Sequence, residues 1–191
     1  MTSLQIQIAQ DAHADEVLTG HPFALLTGML LDQQYPMEHA FRGPAKILDR
    51  FGSIEPAAIA SADPEEFAAL CSTTPAIHHF PGSMSARVQA LAAHVLEEYD
   101  GHAERLWEEA ASGKDLLRRL QALPGFGKQK AQIFTALVAK QLGVRPEGWQ
   151  QAAGDYSEDG CYRSVADVVD ASSLERVRAF KKDKKAAAAA D

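Results

Sequence analysis

The chain carries only two cysteines in 191 residues, Cys71 and Cys161. Two thiols cannot supply a four-thiolate zinc or iron–sulfur site and give no disulfide framework, so both read as plain thiols. Aromatic residues are scarce at 7%, while alanine, leucine and charged residues dominate, a balance that favours helix. No apolar run reaches the ~18 residues needed to span a bilayer. The opening MTSLQIQIAQDAHADE has neither a basic start nor an apolar core, so no secretory signal is expected and the address is read as cytoplasmic. Positive charge is also in deficit. A formal net charge of −7 disfavours a polyanionic partner unless cations are gathered locally. Acids concentrate in 97–109 and 155–159, whereas 118–130 holds Arg118, Arg119, Lys128 and Lys130 among neutral neighbours, so a local basic patch is expected there.

What is present reads as helix throughout, with no segment patterned as a strand and no internal repeat. Residues 22–34 (PFALLTGMLLDQQ) are too densely apolar for a surface stripe and suit a central buried helix opened by Pro22. The stretch 37–52 continues helical, with Pro44 expected to bend or interrupt it and Gly52 to stop it. Two short helices follow, marked by Ser53 and by Asp63-Pro64, before a loop at 72–82. Helical periodicity returns over 83–99, 114–122, 128–142 and 164–181, whereas 144–163 looks like loop. One domain is therefore expected over 1–181, followed by a low-complexity tail at 182–191 that frays or is disordered. The neighbours His78 and His79 lack further close Cys, Asp or Glu ligands, so no metal site is assigned.

The most informative stretch is LPGFGKQKA, 123–131. Glycines 125 and 127 reverse the chain between two helices without a preceding strand, which excludes the strand-loop-helix phosphate motifs of nucleotide-binding folds. Backbone N–H groups at such a turn, together with the N-terminus of the next helix, form an anion site, with Lys128 at its mouth and Lys130 close by. An ordinary αα-hairpin would use the same glycines only for a tight turn.

LPGFGKQKA resembles the helix-hairpin-helix signature L-P-G-x-G-x-x-x-A, and the upstream MLLDQQ, 29–34, resembles the L-L-x-x-Q motif of the helix-hairpin-helix base-excision DNA glycosylases. The resemblance spans residues 22–142. It implies an all-α fold, a helical bundle with a cleft between two subdomains, and excision of a damaged or mispaired base from double-stranded DNA. In such enzymes the position of Gln34 fills the gap left by a flipped base. Gly125 and Gly127, with the N–H groups of Phe126 and Lys128, hold phosphates without reading sequence. Bifunctional members carry a lysine nucleophile two residues after the second glycine, where this chain has Gln129. An amide forms no Schiff base, so a monofunctional glycosylase is implied, with Lys128 and Lys130 directed to either side. The resemblance also implies a downstream aspartate that stabilises the cationic sugar, matched by Asp155 in AGDY. The approach to Asp155 departs from the family's usual P-V-D-x-H or P-x-D-D, and its alternative is a solvated loop acid. No cofactor is expected beyond a monovalent cation that family hairpins can hold through loop carbonyls. A monomer near the nucleoid is the accompanying expectation. A DNA-binding protein that lost its carboxylate, and a helical protein–protein adaptor, are the alternative classes.

Overall fold

The computed structural model describes residues 5–190, and among them it contains helices and turns but no strand. α1 (Ala12–Gly20) starts at Asp11, whose carboxylate accepts the Ala14 N–H. α2 (Pro22–Leu31) is buried from Phe23 to Leu31, the central helix that its dense apolar run predicts. It stops earlier than expected. Asp32 N–H closes onto Gly28 O and Met29 O, and Gln33 N–H onto Leu31 O, so Gln33 and Gln34 form a turn instead of a last helical turn. Gln34 lies in the left-handed region at φ +54°. α3 (Met37–Phe51) runs unbroken through Pro44, so of the expected bend or interruption the interruption does not occur. The missing Pro44 N–H costs one helical bond, but Ala40, Phe41, Ala45 and Ile47 on either side are buried and hold both halves in place. α2 and α3 approach closely at Gly28, where a Cβ would stand 2.4 Å from the Phe41 ring.

The basic residues of α3 serve the fold. Arg42 donates to Ala9 O at 2.9 Å, Lys46 to Ala76 O at 3.0 Å, and Arg50 to Leu70 O, Thr73 O and Pro75 O at 2.7–3.0 Å. Spaced four residues apart, they share one helix face and tie down the carbonyls of two loops and of the end of the helix at Leu70. Burial pushes the Lys46 amine below its ordinary pKa. α4 (Pro56–Ser61) and α5 (Pro64–Ser72) follow, and Asp63 caps α5 by accepting from Glu65 N–H and Glu66 N–H. Both pack on α6 (Pro81–Tyr99). Cys71 is buried, and burial raises its thiol to about 11, in keeping with an inert core thiol.

α7 (Arg105–Glu108) leads to the helical pair α8 (Gly113–Gln121) and α9 (Lys128–Gln141). Beyond it, the segment read as loop contains α10 (Trp149–Ala153) and a 3₁₀ turn, Gly154–Ser157. Trp149, its first residue, is buried. The predicted helix over 164–181 is divided: Val165–Asp167 forms a 3₁₀ turn closed by a reciprocal Ser164–Asp167 cap. Asp170 then accepts the Ser173 N–H at 2.7 Å to open α11, Ala171–Ala190. The tail continues α11 as helix to Ala190, since alanine and lysine are strong helix formers and no Gly or Pro interrupts them. One contiguous core runs from Ile6 through α2, α6 and α9 to Val177.

Candidate active site and nucleic-acid interface

The turn between α8 and α9 is built from its own backbone. Leu123 N–H bonds Leu120 O and Phe126 N–H bonds Leu123 O, each at 3.1 Å. Gly125 sits at φ +82°, and a Cβ there would lie 2.5 Å from Leu30 Cδ1, so the turn needs glycine both for its backbone and for its fit against the end of α2. Phe126 is buried, its ring edge-on to Phe134 at 6.3 Å. Its N–H, read from sequence as a phosphate donor, is engaged inside the turn. Gly127 caps α9, whose first helical bond runs from Ala131 N–H to Gly127 O at 3.0 Å. The N–H groups of Lys128, Gln129 and Lys130 ahead of that bond have no intrahelical acceptor and carry the positive end of the helix dipole.

The expected basic patch is thinner than its residue types suggest. Arg118 and Arg119 turn back along α8 to Asp115 at 2.5 and 3.0 Å, and Arg119 also donates to Arg105 O and Glu109 O. At i,i+3 and i,i+4 spacing these pairs are the nearest partners on the helix. Lys130 turns inward. Its ammonium donates to Leu30 O at 3.1 Å and lies 5.9 Å from the Phe126 ring centroid. Burial lowers its pKa to about 8, while nearby Asp32 opposes the shift. Burial raises the Asp32 carboxyl, against the pull of Lys181 and Lys130. Of the four cations expected here, Lys128 alone is exposed with no carboxylate within 4 Å among the described residues.

Gln34 is exposed on its left-handed turn. The turn is braced from the loop before α6. His78 Nε2 donates to Gln33 O at 2.8 Å while its Nδ1 accepts the Phe80 N–H at 3.1 Å, which fixes a neutral imidazole, and burial lowers its pKa accordingly. Arg87 adds a 3.3 Å bond to Gln33 Oε1. Tyr35 lies against His78 and His79 with ring centroids 4.8 and 4.7 Å apart. The sequence placed His78 in the loop before Pro81 beside His79, with no metal site assigned to the pair. Its bracing role depends on a contact between residues 45 apart in the chain, which periodicity cannot signal.

Asp155 lies on the 3₁₀ turn after α10, and α9 holds that turn from one face. Gln129 donates to the Tyr156 hydroxyl at 3.0 Å, and Gln132, one turn on, donates to Ala152 O at 3.3 Å. The residue two positions past the second glycine is thereby brought to the neighbour of the downstream aspartate. The Asp155 side chain is 90% exposed, with Arg163 Nη1 at 3.8 Å. Arg163 is shared with Glu158 at 3.0 Å. Behind it, Lys140 and Asp167 form a buried 2.7 Å ion pair, and Lys140 also donates to Glu158 O, which fixes the loop after Asp155. No three His, Cys, Asp or Glu side chains are gathered so as to hold a metal among the described residues.

A pair of packed helices whose glycine turn exposes the N-terminus of the second helix is a helix-hairpin-helix, a backbone-reading phosphate module on an all-α scaffold. The chain belongs to the HhH-GPD superfamily of base excision DNA repair proteins, whose family model matches residues 27–190. That span takes in the Gln33–Gln34 turn, the hairpin and the Asp155 turn. Membership makes it a DNA-directed protein of a glycosylase family. No curated protein and no solved structure matches it. No helix among the described residues is long and apolar enough to cross a membrane.

Proposed function

We propose that the protein is a monofunctional DNA glycosylase that hydrolyses the N-glycosidic bond of a damaged or mispaired base in duplex DNA, acting as a monomer without an iron–sulfur cluster. The observation that carries this reading is the Gln129–Tyr156 contact, which sets Asp155 next to the hairpin exit. Gly125, Gly127 and Lys128 grip the phosphates beside the lesion, and Gln34 enters the gap left by the flipped base. Phe126 supports the turn from the core, and Lys130 supports it from α2. As the base departs, the sugar develops positive charge. Asp155 opposes that charge once DNA covers it and excludes water, because the same carboxylate in bulk solvent is heavily screened. Gln129 takes the place of an amine nucleophile, so the product is an intact abasic strand.

Asp155→Asn is the test. Duplexes each bearing one lesion are incubated with protein and then treated with alkali to reveal abasic sites. The variant should lose on the order of 10² or more in single-turnover rate, since an amide cannot oppose the sugar cation, while its affinity for an abasic duplex stays within twofold. Equal rates would place the carboxylate elsewhere.

A second reading is favoured by one observation: Asp155 is solvent-facing and has a guanidinium for a neighbour. On that reading the protein binds DNA without chemistry, and a wild type that excises nothing from a broad panel while binding duplex DNA supports it.

A further inference from the structure

α11 is anchored over its first half, and its second half is exposed and carries four lysines, Asp183 and five alanines. Leu174 and Val177 are buried. Arg178 pairs with the buried Glu38 at the start of α3, Lys181 lies 3.9 Å from Asp32, and the Phe180 ring meets Arg163 at 6.0 Å. These contacts seat the helix against the start of α3 and the end of α2, at Glu38 and Asp32, which flank the Gln33–Gln34 turn in the chain. Residues 174, 178 and 181 share a face at i,i+4 and i,i+7 spacing, and the same face continues to residue 185. From Lys181 onward every described residue is exposed. Lys182, Lys184 and Lys185 have no carboxylate within 4 Å among the described residues, and five alanines follow them.

The two acids that α11 meets on the body of the protein do not cancel this charge. Glu38 is buried and already paired with Arg178, and burial disfavours the charged form of Asp32. In a chain of net charge −7, whose Arg42, Lys46, Arg50, Arg118, Arg119 and Lys130 are all committed to internal partners, unspent cations are few. Three of them are gathered on one helical extension that leaves the body at Asp32, two residues before Gln34 in the chain. At 1.5 Å rise per residue, Lys185 stands about 6 Å beyond Lys181 along the helix axis.

We propose that Lys182, Lys184 and Lys185 form a second phosphate-binding surface, which contacts the DNA backbone flanking the Gln34 turn, opposite in the chain to the hairpin and independent of base sequence. This rests on the glycosylase-type reading of Gln34 and the hairpin. It supplies the positive potential that the hairpin turn, where Lys128 is the one exposed cation without a carboxylate partner among the described residues, lacks. The surface engages duplex DNA through point charges and counterion release, so its contribution is set by salt rather than by lesion.

The experiment measures binding of the full chain to an undamaged 25-base-pair duplex and to the same duplex with one abasic site, by fluorescence anisotropy from 50 to 300 mM NaCl. The triple variant Lys182→Gln, Lys184→Gln, Lys185→Gln should lower the slope of log Kd against log salt by about 2–3 and weaken both duplexes alike, by roughly tenfold to a hundredfold near 150 mM. The triple Lys→Arg variant should restore the slope. An unchanged melting temperature shows that the Gln variant is folded. If wild type binds with a steep salt slope and the Gln variant keeps that slope, the tail assignment alone is wrong. If wild type shows no salt-dependent binding to either duplex, the DNA reading of Gln34 and the hairpin falls, and the tail assignment with it.

Discussion

Replacing Lys130 by Met tests whether the amine between α9 and α2 is held at an energetic cost. In the native protein its pKa is about 8; in the unfolded chain it is about 10.4. Below pH 8 both states hold the proton, and the full penalty of burying the cation is present. Between about 8 and 10.4 the unfolded chain keeps the proton that the native state has released, so this group makes stability rise with pH across that window. The difference of roughly 2.4 pKa units corresponds to about 3 kcal/mol. Met fills the stem's volume but removes the titration and the bond to Leu30 O, which is worth about 1 kcal/mol net. Urea unfolding followed by far-ultraviolet circular dichroism at intervals from pH 7 to 10 should therefore show wild type gaining about 2–3 kcal/mol relative to Lys130→Met as the pH climbs. An Asp32→Asn background removes the titration of the neighbouring carboxyl. Because Asp32 holds the Lys130 pKa up, the divergence there should begin at lower pH. Parallel stability curves for wild type and Lys130→Met over the whole range would refute the argument and place the amine in solvent.

Borohydride reduction in the presence of an abasic duplex should leave no covalent adduct, because Gln129 stands where an amine would be needed; an adduct that disappears in Lys130→Met would assign the chemistry to that depressed-pKa amine instead. Gly125→Ala should cost about 1–3 kcal/mol in thermal or urea unfolding, since the Cβ meets Leu30 Cδ1 at 2.5 Å on a backbone at φ +82°. The same variant should weaken duplex binding, and a stable protein with wild-type affinity would show that the turn adapts freely.

The hairpin, the buried central helix and the all-α class were legible in the chain because each depends on residues close together in it. LPGFGKQKA turns where its glycines permit, and the apolar run at 23–31 is buried whatever surrounds it. Charge was the harder matter. Arg118, Arg119 and Lys130 look in sequence like a patch for a polyanion, yet neighbouring Asp115 takes the two arginines, and Leu30 O, a hundred residues away, takes the lysine. The alanine-lysine tail reads as low complexity, and only the anchoring of the helix ahead of it, Arg178 to Glu38 and Lys181 to Asp32, carries it past the end of α2. Pro44 was expected to bend or interrupt a helix that stays continuous, with buried residues on both flanks. What the sequence determined by itself was periodicity, turn chemistry and the substitution of Gln129 for an amine, all properties of local covalent order. Tertiary structure alone decided which cations remain free, that His78 braces the Gln33–Gln34 turn, and that Gln129 meets the residue after Asp155, because a side chain's partner is chosen by whatever folding brings within about 3 Å of it.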